Sequence, residues 1–218
     1  MPIFLGYVPV GMAFGVIATT IGFTTVQAVV CSATALAGAG QFIALNLMQD
    51  GADVTAVIMA TTVVNLRYVL FGATLSPYLR GMPLPQQALL AFTLTDETFA
   101  VNVNDRRRAL STGASMAGVG AVAWCGWVAG TAIGALAAGW IGDPSRWGVD
   151  FAMPAMFIAL LIALAEERRH IAVAALAGVL AIALPALSNI GLPLPDSWII
   201  VIASMGAATI GAVSFRER

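Results

Sequence analysis

Seven long apolar stretches, each bounded by charges or turn residues, dominate this 218-residue chain: roughly 3–20, 25–49, 54–79, 109–139, 149–165, 169–187 and 197–214. Runs near the ~20 residues that a membrane-spanning helix needs leave little choice of solvent. Composition agrees. Charged residues are 10% of the chain, against roughly a quarter in an ordinary soluble domain. The hydrophobic set is 60% and the mean hydropathy +0.91. Ten cations, all arginine, and eleven acids do not cover a soluble surface of this size, so most of it faces lipid. The same balance excludes a disordered chain, a disulfide scaffold and a nucleic-acid binder. Cys31 and Cys125 lie in apolar runs and read as small hydrophobes. No cleavable signal peptide is evident: a basic n-region and a small-residue cleavage site are both missing.

The stretches lack strand alternation and are rich in Ala, Leu and Gly, the composition of packed membrane helices. The expected class is an all-α integral membrane protein: one membrane domain, 1–218, with about seven transmembrane helices. Segment 83–105 stands apart. It is long enough to span but carries Asp96 and Glu97 in mid-run, and so reads as a broken or re-entrant helix, or as a polar helix buried among others. Arginine placement orients the chain. If 83–105 does not cross, Arg80, Arg106, Arg107, Arg108, Arg168, Arg169, Arg216 and Arg218 share the cytoplasmic side, opposite Arg146, and the N-terminus is outside. If it crosses, seven arginines face two and both termini are inside. The first count is slightly better.

A weak repeat runs at an offset of 115. Phe42-Ile43-Ala44-Leu45 recurs as Phe157-Ile158-Ala159-Leu160, and Gly11 and Gly15 map onto Gly126 and Gly130. This predicts repeat halves 1–105 and 109–218, inverted if the chain crosses seven times and parallel if eight.

Three features carry chemistry. Arg67 lies in the middle of an apolar stretch, where a cation costs at least ~2.5–3.5 kcal/mol. It reads either as a fixed clamp between helices or as a bidentate anchor for a carboxylate. Asp96 and Glu97 point about 100° apart on a helix, so one can pair with Arg67 while the other lines a cavity. Desolvation favours the protonated acid and a guanidinium the ionised one, the balance a proton relay needs. Two helix interruptions, Ala37-Gly38-Ala39-Gly40-Gln41-Phe42 and Asp150-Phe151-Ala152-Met153-Pro154, correspond under the offset. Paired breaks point to a midplane site whose half-helix N-termini attract anions. Gly126, Gly130 and Gly134 read as a packing ridge. No cluster has metal-ligand spacing and no serine sits in a nucleophile elbow, so no metal, cofactor or enzyme activity is expected.

Several stretches together resemble the AzlC family, the large subunit of bacterial branched-chain amino acid exporters. They are Gly6-Tyr7-Val8-Pro9-Val10-Gly11-Met12-Ala13-Phe14-Gly15, Ala37 through Phe42, Asn65-Leu66-Arg67-Tyr68, Thr95-Asp96-Glu97-Thr98-Phe99-Ala100, and Asp150 through Leu161. The resemblance implies an inner-membrane exporter of valine, leucine, isoleucine or methionine, a small hydrophobic AzlD-type partner subunit, and proton antiport as the energy source. Tyr68 departs from the family pattern, where many members carry histidine. A zwitterionic substrate needs a carboxylate site, an ammonium site and an apolar pocket. The expected substrate-binding set is Tyr7, Gln41, Phe42, Asn65, Arg67 and Phe99, with Phe14 also lining the pocket. Asp96 and Glu97 are the proton-coupling pair, sharing a wet chamber with Arg67 at half depth. An amino-acid-permeable channel and a non-transporting helper subunit remain the alternatives, ahead of a membrane-embedded enzyme.

Overall fold

The computed structural model describes residues 2–107, 112–141, 146, 148, 151, 154–155, 158, 161–162, 165, 167–188 and 196–214. It divides into two compact units, Met1–Met156 and Phe157–Arg218. The described residues are helical, without strands. The second interruption, at 150–154, and the second copy of the tetrapeptide, at 157–160, lie largely outside them.

In the first unit, α1 (Pro2–Thr20) and α8 (Gly113–Ile141) form the central pair. Small residues let their backbones touch. A Cβ on Gly11 would stand 2.6 Å from the Trp127 carbonyl, and one on Gly134 would overlap the Met12 carbonyl. Gly126 faces Phe4 and Tyr7, Gly130 faces Val8 and Met12, and Gly15 faces Thr131 and Ala135. Residue numbers rise together along both helices, so α1 and α8 run parallel. The glycines related by the 115 offset thus lie on facing surfaces of two parallel helices.

Between them the chain makes two hairpins that fold back on themselves. The first is α2 (Thr25–Thr34) and α3 (Gly38–Gln49). α2 starts at the C-terminal end of α1, where Phe23 N–H donates to the Ala18 carbonyl. It descends until Ser32 Oγ meets Thr131 Oγ1 at 2.7 Å and Trp124 Nε1 donates to the Ala33 carbonyl at 3.0 Å. After the break at 35–37, α3 returns towards its starting end and passes to α4 (Val54–Asn65). α4, α5 (Arg67–Leu75) and the 3₁₀ turn Ser76–Leu79 follow one another along the apolar stretch Val54–Leu79. That stretch reaches the α8 N-terminal end, where Leu75 packs with Leu90, Val103 and Met116.

The second hairpin is α6 (Leu84–Phe92) and α7 (Asp96–Arg107), entering from that opposite end. Met82 and Gln86 lie beside Gly113, and Thr93 beside Gly120. α7 then comes back, so that Arg106 Nε reaches Met116 Sδ at 3.2 Å. Segment 83–105 is therefore a broken element whose second half folds back towards the end it entered from. Segment 25–49, expected as one continuous crossing helix, is likewise broken and folds back. This overturns the parity that tied non-crossing of 83–105 to an inverted repeat. With both hairpins folding back, the offset-related helices α1 and α8 are parallel.

In the second unit α9 (Arg168–Ser188) and α10 (Asp196–Ser214) pack antiparallel, with Gly211 against Val173 and Gly206 near Leu180. Among the described residues four helical stretches are long and apolar enough to cross a membrane: Ile3–Thr20, Val54–Leu79, Gly113–Trp140 and Arg168–Pro185. The halves of the two hairpins, at 9–12 residues each, are too short to cross alone.

Candidate functional site

The two hairpin tips, at 35–37 and 93–95, both lie near the middle of α8, and the polar residues gather there. α7 begins with a reciprocal cap. Thr95 Oγ1 accepts from Thr98 N–H at 3.2 Å, and Thr98 Oγ1 accepts from Thr95 N–H at 2.8 Å while donating to the Thr93 carbonyl. This is a capping box with threonine in place of the usual Glu or Gln. It fixes the start of α7, and so the aim of the acids in its first turn.

Asp96 Oδ2 receives Arg67 Nη2 at 2.9 Å, with 11% and 22% of the two side chains exposed. Glu97 points elsewhere: Tyr7 O–H donates to its Oε2 at 2.5 Å, and the same hydroxyl lies 2.5 Å from Thr95 Oγ1. The ~100° between successive helical residues thus separates the acids into one ion pair towards α5 and one hydrogen bond towards α1. The Arg67 guanidinium also lies 5.3 Å from the Tyr68 ring.

Arg67 opens α5 directly after a local discontinuity at Leu66. Two residues earlier, Asn65 leans on the N-terminus of α3: a Cβ on Gly40 would stand 2.9 Å from Asn65 Nδ2 and 3.1 Å from its Oδ1. Gln41, 5% exposed, donates to Cys31 Sγ at 3.5 Å across the break. The buried Oε1 of Gln41, Oδ1 of Asn65 and Nε1 of Trp127 have no hydrogen-bond partner among the described residues. Below them Tyr7, Phe14, Phe42 and Trp127 form a ring cluster with centroids 5.7 to 6.4 Å apart.

Of the residues singled out from sequence, Tyr7, Arg67, Asp96 and Glu97 form one connected polar group. Asn65 and Gln41 lie at the neighbouring tip, and Phe42 joins Phe14. Phe99 does not join them: it stacks on Phe71 at 4.2 Å and packs in the second apolar cluster. The expected pocket of Phe14, Phe42 and Phe99 is therefore split between two clusters, and Trp127 takes the third place beside Phe14 and Phe42. Sequence reasoning missed Thr95, Thr98 and Trp127. The paired threonines ahead of an acidic first turn were a local signal; Trp127 carried none.

The family model described as AzlC protein matches residues 2–141. The chain belongs to the AzlC family. Among its relatives it is similar to the inner membrane protein YgaZ of Escherichia coli (strain K12), 34% identical over 83% of this chain and 77% of the relative. An uncharacterized membrane protein of Archaeoglobus fulgidus is 33% identical over 84% and 80% of the two chains. The branched-chain amino acid transport protein AzlC of Bacillus subtilis (strain 168) is 28% identical over 78% and 67%. No solved structure matches. The AzlC match covers the hairpins, the ionic centre and the aromatic cluster, so every element of this site lies in the family region. A membrane transport role follows at this coarse level.

Proposed function

We propose that this chain is the large subunit of a secondary exporter of branched-chain and other hydrophobic amino acids (valine, leucine, isoleucine, methionine). In this reading it works as a proton antiporter in the bacterial inner membrane with a small AzlD-type subunit. The observation that carries the reading is the polar centre at mid-depth, where Arg67–Asp96 and Tyr7–Glu97 meet beside the two hairpin tips. Ionisable groups held inside a membrane mark substrate or proton routes, and half-helices ending at mid-depth are how carriers hold polar cargo. The name of the Bacillus subtilis relative supplies the substrate class.

The topology that goes with this reading has three crossings in the first unit, α1, Val54–Leu79 and α8, and one re-entrant hairpin from each face. Arg80 and Arg106 stand at the end where α1 begins, and Arg146 follows α8 at the other. The positive-inside rule then makes the start of α1 cytoplasmic, in place of the outside N-terminus expected from seven crossings. Asp96 and Glu97 carry the coupling. A proton on Asp96 removes the charge that holds Arg67, frees α5 from α7 and biases access to one face.

The test is valine efflux from loaded proteoliposomes, with and without an inward proton gradient. Gradient-driven efflux is expected in the wild type, with saturation and counterflow, and is lost in Asp96→Asn or Glu97→Gln. Unchanged gradient-driven efflux in both variants removes the coupling role. Efflux without saturation or counterflow makes the protein a pore.

A further inference from the structure

Two half-helices point their N-termini at the centre, and they are not equivalent. That of α7 is complete: Thr95 and Thr98 cap it, and Asp96 and Glu97 in its first turn offset the positive dipole end. That of α3 is bare. Its N-cap is Ala37, no side chain caps it, and its first turn holds no acid. Ala39 and Phe42 are buried, and the absence of a Cβ at Gly40 lets the Asn65 side chain pack close against it. The opening N–H groups of a helix have no partner in the helix itself, and a buried, uncapped, unneutralised start is built to receive an anion.

A second observation points to a ligand with a cation as well. Gln41, nineteen-twentieths buried, reaches back over this N-terminus towards Cys31, and its Oε1 accepts nothing among the described residues. Asn65 Oδ1, against Gly40, is a second buried acceptor in the same condition. Unmet buried acceptors are costly. Two of them beside unmet donors match the two ends of one molecule: an ammonium for the carboxamide oxygens and a carboxylate for the N–H groups. Of the two places the sequence offers the carboxylate, Arg67 and the half-helix N-terminus near residues 38–41, Arg67 is occupied by Asp96; Glu97 is occupied by Tyr7.

We propose that the tip of the first hairpin is the α-amino-acid subsite. The α-carboxylate sits on the N–H groups of Gly38, Ala39 and Gly40, and the ammonium on Gln41 Oε1 and Asn65 Oδ1. The inference rests on the transport reading above and moves the substrate's charged ends off the ionic centre. That centre keeps the coupling role alone.

The experiment titrates the purified full chain in lipid nanodiscs with three probes, followed by thermal shift. They are leucine, leucinamide (no carboxylate) and 4-methylpentanoate (no ammonium). In the wild type, leucine binds at least about tenfold tighter than either analogue, the scale of one hydrogen bond to a charged group. Asn65→Leu and Gln41→Met each weaken leucine about tenfold and leave 4-methylpentanoate unchanged, because that analogue never used the lost acceptor. Asn65→Asp places a fixed carboxylate against Gly40, so it weakens leucine and leaves leucinamide unchanged or tighter. If the variants weaken leucine and 4-methylpentanoate alike, or leave leucine untouched, the subsite is wrong while the transport reading stands. If the wild type binds no branched-chain amino acid at all, the transport reading fails and takes the subsite with it.

Discussion

Replacing Arg67 with leucine removes one half of a largely buried ion pair and leaves the other in place. At the observed 2.9 Å, two unit charges attract by about 6 kcal/mol at an effective dielectric constant near 20. Desolvation of both groups offsets much of that, so the pair itself stabilises weakly. Breaking it is another matter, because Asp96 is then stranded. The expected cost of Arg67→Leu is about 3–5 kcal/mol. At about 2–4 °C per kcal/mol for a chain of this length, the melting temperature falls by roughly 10 °C. Neutralising the stranded acid relieves the fault. Arg67→Leu/Asp96→Asn is therefore expected to recover about half of that loss, roughly 2 kcal/mol, and so to fall well short of the sum of the two single variants. The assay is thermal unfolding of all four proteins in one detergent at one pH. Additive losses, or an Arg67→Leu protein that melts like the wild type, would refute the claim that Asp96 depends on this guanidinium.

Tyr7→Phe deletes the hydroxyl that donates to Glu97 and meets Thr95. It should cost about 1.5–3 kcal/mol, the worth of a hydrogen bond to a charged group, and a Tyr7→Phe/Glu97→Gln double variant should lose less than the sum. Gly134→Leu forces a side chain into the Met12 backbone. Melting should show a loss of about 1–3 kcal/mol or more, whereas the same change at Gly139, which has open space around it, should be nearly silent. Single cysteines placed at Ala52 and Met82 should react with an impermeant maleimide from opposite faces of sealed vesicles, and labelling from one face would undo the two-hairpin topology.

Much of the site was legible in the residues. An arginine inside an apolar stretch must find a partner, and two acids in a segment otherwise long enough to span were the nearest candidates. The Ala-Gly-rich run at 37–42 and the polar run at 93–97 both declare a break in a helix. Which acid pairs with Arg67 was not legible. It depends on the rotation of α7, which the Thr95–Thr98 cap and the packing against α1 set together. Nor was the place of Phe99 legible, because its stacking partner Phe71 lies on another helix and aromatic residues carry no address.

The chain by itself determined its solvent, its helical character, the apolar stretches able to cross and the points where helices stop. These follow from local hydropathy and from the need of every backbone group for a hydrogen bond in lipid. Only the tertiary structure decided what the chain does after each stop. A three-residue link can carry a helix onward or turn it back with the same local energetics. The choice is made by the glycine-lined contact of α1 with α8, which runs these two helices parallel and leaves each hairpin to return to the face it came from. With that choice two helix starts come to the middle of α8 from opposite ends, one sealed by threonines and acids and the other left bare.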